Sequence, residues 1–498
     1  MRARAWALVL AAVGALQTLA FVHTAAWALP LAGAGLLAAS AVRAAPRRAA
    51  LFGWAYGVGW LGAGTWWLFI SMHRYGHLAA PLAAAAVLAL AAALSLYLGA
   101  AMAAFARWRC GRPVLDALLF GAAWLLAELA RGVLFTGFPW VASGYAQVDG
   151  PLAPLAPWVG VYGIGAWGAF AAALVALALP RRPGPAGLGV ALVVLPLALA
   201  GQSFSRPSGS LTVTLLQTNV SQDDKFAAEK MPAELDWVAA RLEAARGELV
   251  MAPETAVPLL PDQLEQVDPG YWKALAARFS GPGQAALVGV PLGDYDHGYT
   301  NSVAGLSAGP RYRYDKHHLV PFGEFIPTGF RWFTELMDIP LGDFKRGVAN
   351  PPSFPVRGER VAPNICYEDL FGEELARRFA DPARAPTLFA NVSNLGWFGD
   401  TEILAQHLNI SRMRALEFER PMIRSTNTGA TAIIDFRGRV TAELPVYARM
   451  TLDGSVQGRI GITPYAWWAA RAGLWPLGLA ALALIAAARR RSSQELYR

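Results

Sequence analysis

Apolar stretches long enough to cross a bilayer constrain the fold of this chain more than any motif in it. Hydrophobic residues make up 55% of the sequence, a proportion typical of membrane proteins. A membrane-spanning helix needs about 20 mostly apolar residues. Stretches of this kind lie at 6–22, 26–42, 50–70, 81–106, 114–134, 158–179, 186–204 and 467–488. We therefore predict an α-helical membrane domain with eight transmembrane helices. The first is expected to be retained, since six more follow closely and a signal peptide would be removed.

The arginine residues orient these predicted helices. One set of connections is rich in arginine, whereas the short loops on the other side carry only Arg74. Connections rich in Lys and Arg stay in the cytoplasm. Both termini are therefore expected in the cytoplasm, and the long segment between the seventh and eighth helices outside. This division predicts three regions, 1–204, 205–465 and 466–498.

The segment 205–465 differs from the rest of the chain in charge. It holds 31 of the 35 acidic residues and has a net charge of −5, against +13 for the remainder. The basic character therefore belongs to the cytoplasmic loops, and nucleic-acid binding is not indicated.

The pattern of residues 205–465 predicts alternating strands and helices, and hence an α/β layered domain. The predicted strands are 211–217, 248–252, 285–291, 300–306, 311–315, 361–366, 387–392, 421–426 and 430–435. The predicted helices are 229–246, 269–279, 372–379 and 402–418. A Gly-x-Ser-x-Gly motif around Ser307 falls in a turn between two strands, not in the strand-to-helix turn that a nucleophilic serine requires.

Three polar residues stand at the ends of predicted strands, namely Glu254, Lys316 and Cys366. A cysteine is mostly thiol near neutral pH unless a base or a cation assists it. Glu254 is suited to accept the thiol proton. Lys316, helped by the backbone N–H of Tyr367, is suited to stabilise an oxyanion. Taken singly, a surface carboxylate, a solvated lysine and a buried structural cysteine remain alternatives.

The contexts of these residues resemble the Glu-Lys-Cys triad of the nitrilase superfamily. A nitrilase-like domain between the seventh and eighth helices is similar to the membrane-embedded apolipoprotein N-acyltransferase family. The matching segments are 253–254, 316–324, 365–368, 391–394, 397–400, 412–417 and 424–427. The resemblance implies an αββα sandwich in the periplasm, joined to helices in the bacterial inner membrane.

The resemblance also implies the activity and its residues. The expected reaction moves an acyl chain from a glycerophospholipid, through a thioester on Cys366, to the amino terminus of a diacylglyceryl apolipoprotein. No cofactor and no nucleic acid are implied, and a monomer is expected. Glu324, Tyr367 and Glu368 are implied as further residues of the site. Phe226 and Trp397 are implied on the substrate side, although the family often has Trp where this chain has Phe226, which lacks the indole N–H.

Two other readings of the same residues remain open. One is a membrane-tethered amidase that acts on a small soluble amide, with water as the second substrate. The other is a lipid-binding or lipoprotein-handling protein with a structural cysteine. A metal site is not predicted, because the adjacent His317 and His318 of an extended chain point to opposite faces.

An aromatic segment follows the predicted lysine. Phe325, Trp332 and Phe333 belong to a run of apolar side chains between 325 and 344 that also contains Pro and Gly. Such a composition suits a loop, and exposed apolar surface marks a membrane or partner contact. We predict a lid that dips into the bilayer and admits acyl chains to Cys366, with burial in the domain core as the alternative.

Two motifs in the membrane part have structural explanations. Gly57, Gly59 and Gly62 match a dinucleotide-binding pattern but lie in an apolar span with no preceding strand, which favours helix packing. Glu128 and Arg131 are spaced to pair on one helix face.

Overall fold

The computed structural model describes residues 2–179, 182–327, 329 and 344–496, and the chain forms two compact units. The first contains Met1–His73, Leu78–Gln202 and Ala472–Arg498. The second contains Arg74–His77 and Ser203–Arg471.

The first unit is helical. Its longer helices are Arg2–Leu16, Ala28–Ala41, Pro46–Gly64, Ala80–Trp108, Pro113–Val133, Ala156–Ala178, Pro183–Val194 and Trp475–Leu496. Short helical segments lie at Gln17–Phe21, Thr24–Ala26, Leu68–Ile70, Ser71–Tyr75, Leu134–Thr136, Ser143–Gln147, Ala153–Leu155 and Leu195–Leu199.

Every predicted apolar stretch overlaps one of these helices. Among the described residues, five helices are long and apolar enough to span a membrane, or six if Pro464–Ala472 and Trp475–Arg491 are counted as one bent span. The eight-helix count therefore stays a prediction. The predicted seventh helix is short: its α-helical part ends at Val194 and a 3₁₀ turn follows, because Pro196 supplies no backbone N–H.

The glycines of the dinucleotide-like motif lie inside helix Pro46–Gly64, as the helix-packing explanation requires. A Cβ on Gly59 would stand 1.8 Å from the carbonyl oxygen of Ala11, and one on Gly57 would stand 2.7 Å from Ser95 Oγ. Gly62 has no such close neighbour. Two of the three glycines thus permit close helix packing.

Glu128 and Arg131 form a buried pair 3.7 Å apart in helix Pro113–Val133. Glu128 also accepts hydrogen bonds from the backbone N–H and the hydroxyl of Ser143, both at 2.7 Å. Arg131 donates to the carbonyl oxygens of Phe138 and Trp140. The pair therefore holds the loop that follows its own helix.

The second unit contains two six-stranded sheets. The strands are β1 Ser205–Gln217, β2 Leu249–Ala252, β3 Ala285–Asp294, β4 Gly298–Leu306, β5 Tyr312–Asp315, β6 Phe354–Val356, β7 Glu359–Ile365, β8 Leu388–Ser393, β9 Met422–Thr426, β10 Ala432–Ile434, β11 Val440–Glu443 and β12 Met450–Gly461. In spatial order the first sheet is β12-β1-β2-β3-β4-β5 and the second is β11-β10-β9-β8-β7-β6.

The two sheets share one pattern of strand directions. In each, three neighbouring strands are parallel, β1-β2-β3 in one and β7-β8-β9 in the other. In each, one antiparallel strand flanks this trio on one side and two flank it on the other. Carboxyl ends of parallel strands lie at one edge of a sheet, which is where α/β proteins build their sites.

The sheets pack face to face with helices on their outer faces. Leu249 and Met251 of β2 join the core between the sheets, whereas Val250 and Ala252 face outward, as the alternation of a strand requires. Burial of a side chain such as Leu249 contributes about 1.5–3 kcal/mol. The outer layers are helices Met231–Ala244, Pro261–Val267 and Tyr271–Arg278 on one side, and Gly372–Ala376, Ile403–Phe418 and Pro464–Ala472 on the other.

The expected αββα layering is confirmed, and the predicted strands and helices all have counterparts. The predicted strand that ended on Cys366 ends at Ile365, because Cys366 begins a 3₁₀ turn, Cys366–Leu370. Further 3₁₀ turns lie at Arg377–Phe379 and Gly396–Phe398, and a single helical turn at Gln222–Lys225. Ser307 lies in the turn between β4 and β5, as the strand pattern predicted.

Candidate active site

Three polar side chains follow the ends of three strands. Glu254 comes two residues after β2, Lys316 directly after β5, and Cys366 directly after β7. Glu254 and Lys316 are buried, with Lys316 1% exposed, and Cys366 is partly buried. The ammonium Nζ of Lys316 lies 3.4 Å from Oε1 of Glu254. The fold thus brings together two residues that are 62 positions apart in the sequence.

A second carboxylate and an amide complete this cluster. Oε1 of Glu324 lies 2.8 Å from Nζ of Lys316. Asn301 on β4 donates one N–H to Glu254 and the other to Glu324, each over 2.7 Å. Oε2 of Glu324 accepts the backbone N–H of Val320, which fixes its orientation. One lysine and one asparagine therefore hold two carboxylates in place.

The charges around Lys316 keep it protonated. Burial by itself lowers the pKa of Lys316, but the carboxylates of Glu324 and Glu254 outweigh it, and the pKa lies above its usual value. A permanent cation in a site shielded from water is suited to stabilise negative charge that develops on a substrate oxygen.

The thiol of Cys366 is held in its neutral form. Burial raises its pKa, the carboxylate of Glu254 raises it further, and Lys316 opposes both. A stable thiolate is therefore not the resting state. Glu254 is the carboxylate with the largest effect on the pKa of this thiol. The arrangement therefore suits transfer of the thiol proton to Glu254 as the sulfur attacks.

The backbone N–H of Asn394 acts on both Glu254 and Cys366. It donates to Oε2 of Glu254 over 2.8 Å, and it lowers the pKa of the Cys366 thiol. Asn394 directly follows β8, the neighbour of β7. One backbone amide therefore influences both side chains.

Cys366 has a left-handed backbone with φ of +50°. A non-glycine residue in that region is uncommon and costs about 1 kcal/mol or more, so the surroundings must hold it. The fully buried His407 contacts the Cys366 carbonyl oxygen at 3.1 Å through Nε2. Its Nδ1 is 3.1 Å from a guanidinium nitrogen of Arg424, which can only donate. The proton of His407 is therefore on Nε2, and His407 donates to Cys366.

Arg424 is itself fixed by a buried acid. Its Nη1 lies 3.3 Å from Oδ2 of Asp369, and Ser411 hydrogen-bonds to both. Burial and the cation of Arg424 lower the pKa of His407 well below its usual value, which keeps the imidazole neutral. Through His407, this network supports the turn Cys366–Leu370.

Glu368 lies within the turn Cys366–Leu370, and its carboxylate binds groups of the protein itself. Oε1 accepts the backbone N–H groups of His317 at 2.7 Å and His318 at 3.1 Å. Oε2 accepts the N–H of Ile365 at 2.7 Å and the hydroxyl of Tyr314 at 2.5 Å. Glu368 thus fastens the chain beside Lys316 to the chain beside Cys366.

The other predicted site residues lie around this cluster. The ring of Tyr367 packs against Phe371 at 5.2 Å. Phe226 is 56% exposed, and Trp397 contacts Tyr75 edge to face at 5.3 Å. Phe325 lies 4.9 Å from the guanidinium of Arg346. Trp332 and Phe333 lie outside the described residues, so the lid stays a prediction.

The adjacent histidines have separate partners. His317 Nδ1 faces the carbonyl oxygen of Gly347, while the ring of His318 stacks on Phe371 and faces Glu374. Among the described residues, no group of three or more His, Cys, Asp or Glu side chains is arranged to hold a metal ion.

Sequence reasoning missed several polar residues of this site. Asn301 lies in the middle of a strand and His407 lies outside every segment that matched the family, whereas Asn394 and Arg424 appeared only within such segments. A buried amide inside an apolar strand was the one available signal for Asn301, since such a group needs a partner.

Comparisons with known proteins agree with this architecture. Residues 13–174 match the family described as Apolipoprotein N-acyltransferase N-terminal domain, and residues 212–465 match Carbon-nitrogen hydrolase. An apolipoprotein N-acyltransferase from Verminephrobacter eiseniae is 53% identical, over 86% of this chain and 84% of its own length. One from Ralstonia nicotianae is 47% identical, over 97% of this chain and 92% of its own. One from Bordetella bronchiseptica is 44% identical, over 97% of each.

Proposed function

This chain belongs to the apolipoprotein N-acyltransferase family, and on that premise we propose that it moves an acyl chain from a membrane phospholipid to the amino terminus of a lipoprotein. The acceptor is the free α-amine of an S-diacylglyceryl cysteine. The observation that carries this proposal is the buried cluster of Glu254, Lys316 and Cys366, joined by the N–H of Asn394.

The first half-reaction forms a thioester. Sγ of Cys366 attacks the ester carbonyl carbon of the phospholipid while Glu254 takes the thiol proton. Negative charge gathers on the carbonyl oxygen, where Lys316 and the N–H of Tyr367 stabilise it. Collapse of this intermediate breaks the ester C–O bond. The leaving lysophospholipid oxygen takes the proton from Glu254, and the acyl chain stays on Cys366.

The second half-reaction consumes the thioester. The α-amine of the acceptor attacks the thioester carbon, and Glu254 accepts a proton from the amine. An α-amine has a pKa of about 7.7–8, so a nearby base keeps it nucleophilic at neutral pH. Collapse breaks the C–S bond, and the sulfur regains the proton from Glu254. The products are an N-acylated lipoprotein and a resting enzyme.

The membrane arrangement belongs to the same proposal. Regions 1–204 and 466–498 form an eight-helix domain in the inner membrane, and 205–465 forms the catalytic domain in the periplasm. Both substrates are lipids held in a bilayer, which gives a reason for joining such a domain to membrane helices. The protein works as a monomer.

Mass spectrometry of the purified protein with isotope-labelled phospholipid tests the proposal. We expect a labelled acyl group on Cys366 that leaves when a diacylglyceryl-cysteine peptide is added and appears on the amine of that peptide. Glu254→Gln and Lys316→Met should form no adduct. Transfer by Cys366→Ser at a rate near the wild type would contradict the proposal, and release of only free fatty acid would indicate a hydrolase.

A further inference from the structure

Two side chains next to Glu254 have no part in this mechanism. Gln222 and Lys225 stand at the two ends of the helical turn Gln222–Lys225, and each is only 5% exposed. Nζ of Lys225 donates to the backbone carbonyl oxygen of Glu254 over 3.2 Å. A buried lysine beside a catalytic carboxylate needs an explanation, because burying a charge is costly unless it is paired.

The amide of Gln222 has no hydrogen-bond partner within the described part of the chain. This holds for both Oε1 and Nε2. Leaving a buried polar group unpaired costs about 1–3 kcal/mol, so native proteins rarely do it without a reason. The side-chain amide of Gln222 can both accept and donate hydrogen bonds, so it suits a ligand that does the same.

The turn is fastened to the active site. Asn427 accepts the N–H of Val220 and donates to its carbonyl oxygen, both at 2.8 Å. The same amide of Asn427 donates to Oδ1 of Asn394, whose backbone N–H contacts Glu254. A Cβ on Gly396 would stand 3.2 Å from Nε2 of Gln222 and 3.3 Å from Oδ1 of Asn394. A side chain at Gly396 would therefore crowd the amide of Gln222.

We infer that Gln222 and Lys225 form a subsite for the peptide backbone of the lipoprotein acceptor, an inference that rests on the proposed function. In an extended peptide, the N–H and the C=O of one residue point to the same side, and a glutamine amide can pair with both. Gln222 pairs in this way with the second residue of the acceptor. Lys225 donates to the carbonyl oxygen of the first residue, whose α-amine faces Glu254.

The chemistry of Gln222 distinguishes this acceptor from the phospholipid donor. The ester and phosphodiester groups next to the scissile bond offer only acceptor oxygens, which would leave Oε1 of Gln222 unpaired. A peptide backbone supplies both a donor and an acceptor. The amide therefore fits the second substrate better than the first.

The state of Lys225 suits an amine-bearing ligand. Burial lowers its pKa to about 8, and the carboxylate of Glu254 opposes that shift. A lysine that gives up its proton readily repels an incoming ammonium group less than a permanent cation would. It can donate an N–H to a carbonyl oxygen in either protonation state.

The test measures the two half-reactions separately with Gln222→Met, which keeps the length of the side chain and removes both polar atoms. The acceptors are a diacylglyceryl-cysteine peptide and its ester analogue, in which oxygen replaces the N–H of the second residue. With the wild type, the ester analogue should react about tenfold more slowly, as expected for one lost hydrogen bond. Gln222→Met removes both hydrogen bonds, so it should react about a hundredfold more slowly with the normal peptide and show no further loss with the analogue.

Thioester formation from phospholipid should be unchanged in Gln222→Met. A failure of the subsite can therefore be distinguished from a failure of the proposed function. A wild type that forms no thioester would defeat the proposed function itself. Slower thioester formation in Gln222→Met would overturn the subsite. So would a rate loss for Gln222→Met with the ester analogue that equals the product of the two separate losses.

A lysine variant tests the other half of the subsite. Lys225→Met should raise KM for the peptide while thioester formation persists, and an unchanged KM would overturn the role of Lys225. Gln457→Met and Lys273→Met, which alter exposed residues of the same types, serve as matched controls.

Discussion

Glu368→Gln tests whether this carboxylate stabilises the fold or contacts the substrate. The four donors that Glu368 binds decide what a glutamine can do there. If the new NH₂ replaces Oε1, the N–H groups of His317 and His318 both face a donor. If it replaces Oε2, only the N–H of Ile365 does, because the Tyr314 hydroxyl can rotate and accept. The second orientation should prevail.

The cost of that orientation follows from its hydrogen bonds. One buried backbone N–H is left unpaired, at about 1–3 kcal/mol. The remaining bonds lose the charge that made them stronger, at about 1 kcal/mol each, since bonds to charged groups contribute about 1.5–3 kcal/mol and neutral ones about 0.5–1.5. With three remaining bonds, we expect Glu368→Gln to lower the free energy of unfolding by about 4–6 kcal/mol. For a domain of this size that lowers Tm by roughly 8–24 °C.

Thermal unfolding in detergent, with thioester formation measured on the same samples, provides the assay. Thioester formation should fall as well, because Glu368 fixes the chain on which Lys316 lies. Tyr314→Phe should destabilise the wild type more than it destabilises Glu368→Gln, since the two residues share one hydrogen bond. Glu229→Gln, a change at an exposed carboxylate, is the control. A variant with the Tm of the wild type and no thioester would refute the stabilising role of Glu368 and indicate a substrate contact.

Three shorter predictions follow from the same site. Asn301→Leu removes the amide that bridges two carboxylates, and thioester formation measured by mass spectrometry should fall about ten- to hundredfold; an unchanged rate would contradict the bridge. His407→Phe should lower Tm and slow thioester formation, because the Cys366 carbonyl oxygen loses its donor; a wild-type rate would show that the left-handed turn needs no such support. The pKa of Lys225 is lowered from 10.5 to about 8 by burial, so the folded protein loses this proton before the unfolded chain does. The stability of the wild type relative to Lys225→Met should therefore rise between pH 8 and 10.5, by up to about 3 kcal/mol, and a flat difference in unfolding free energy across that range would contradict the shift.

The residues at strand ends were predictable because the sequence pattern around them marks where a strand ends. Val361 to Ile365 is an apolar run that stops at a thiol and two acids, and Glu254 follows a similar run. Strand patterns place such ends at one edge of a sheet without any knowledge of long-range pairing. The helix Ile403–Phe418 was likewise evident from its length and composition.

Residues that act through tertiary contacts were not predictable. His407 supports Cys366 only because a helix packs on the outer face of the second sheet and brings Arg424 of β9 beside it. The strand β12 was missed because its sequence, Met450–Gly461, contains two glycines before its last residue and exposed polar side chains. It is a strand because it pairs with β1, and that partner lies more than two hundred residues earlier.

The pairing of β1 with β12 also makes this domain portable. Its first and last strands are neighbours, and Ser205 lies opposite Gly461 in the register. The chain therefore enters and leaves the sandwich at one place. A domain with adjacent ends can be inserted into a loop of another protein, or have its ends joined by a short peptide, without altering the path of its strands.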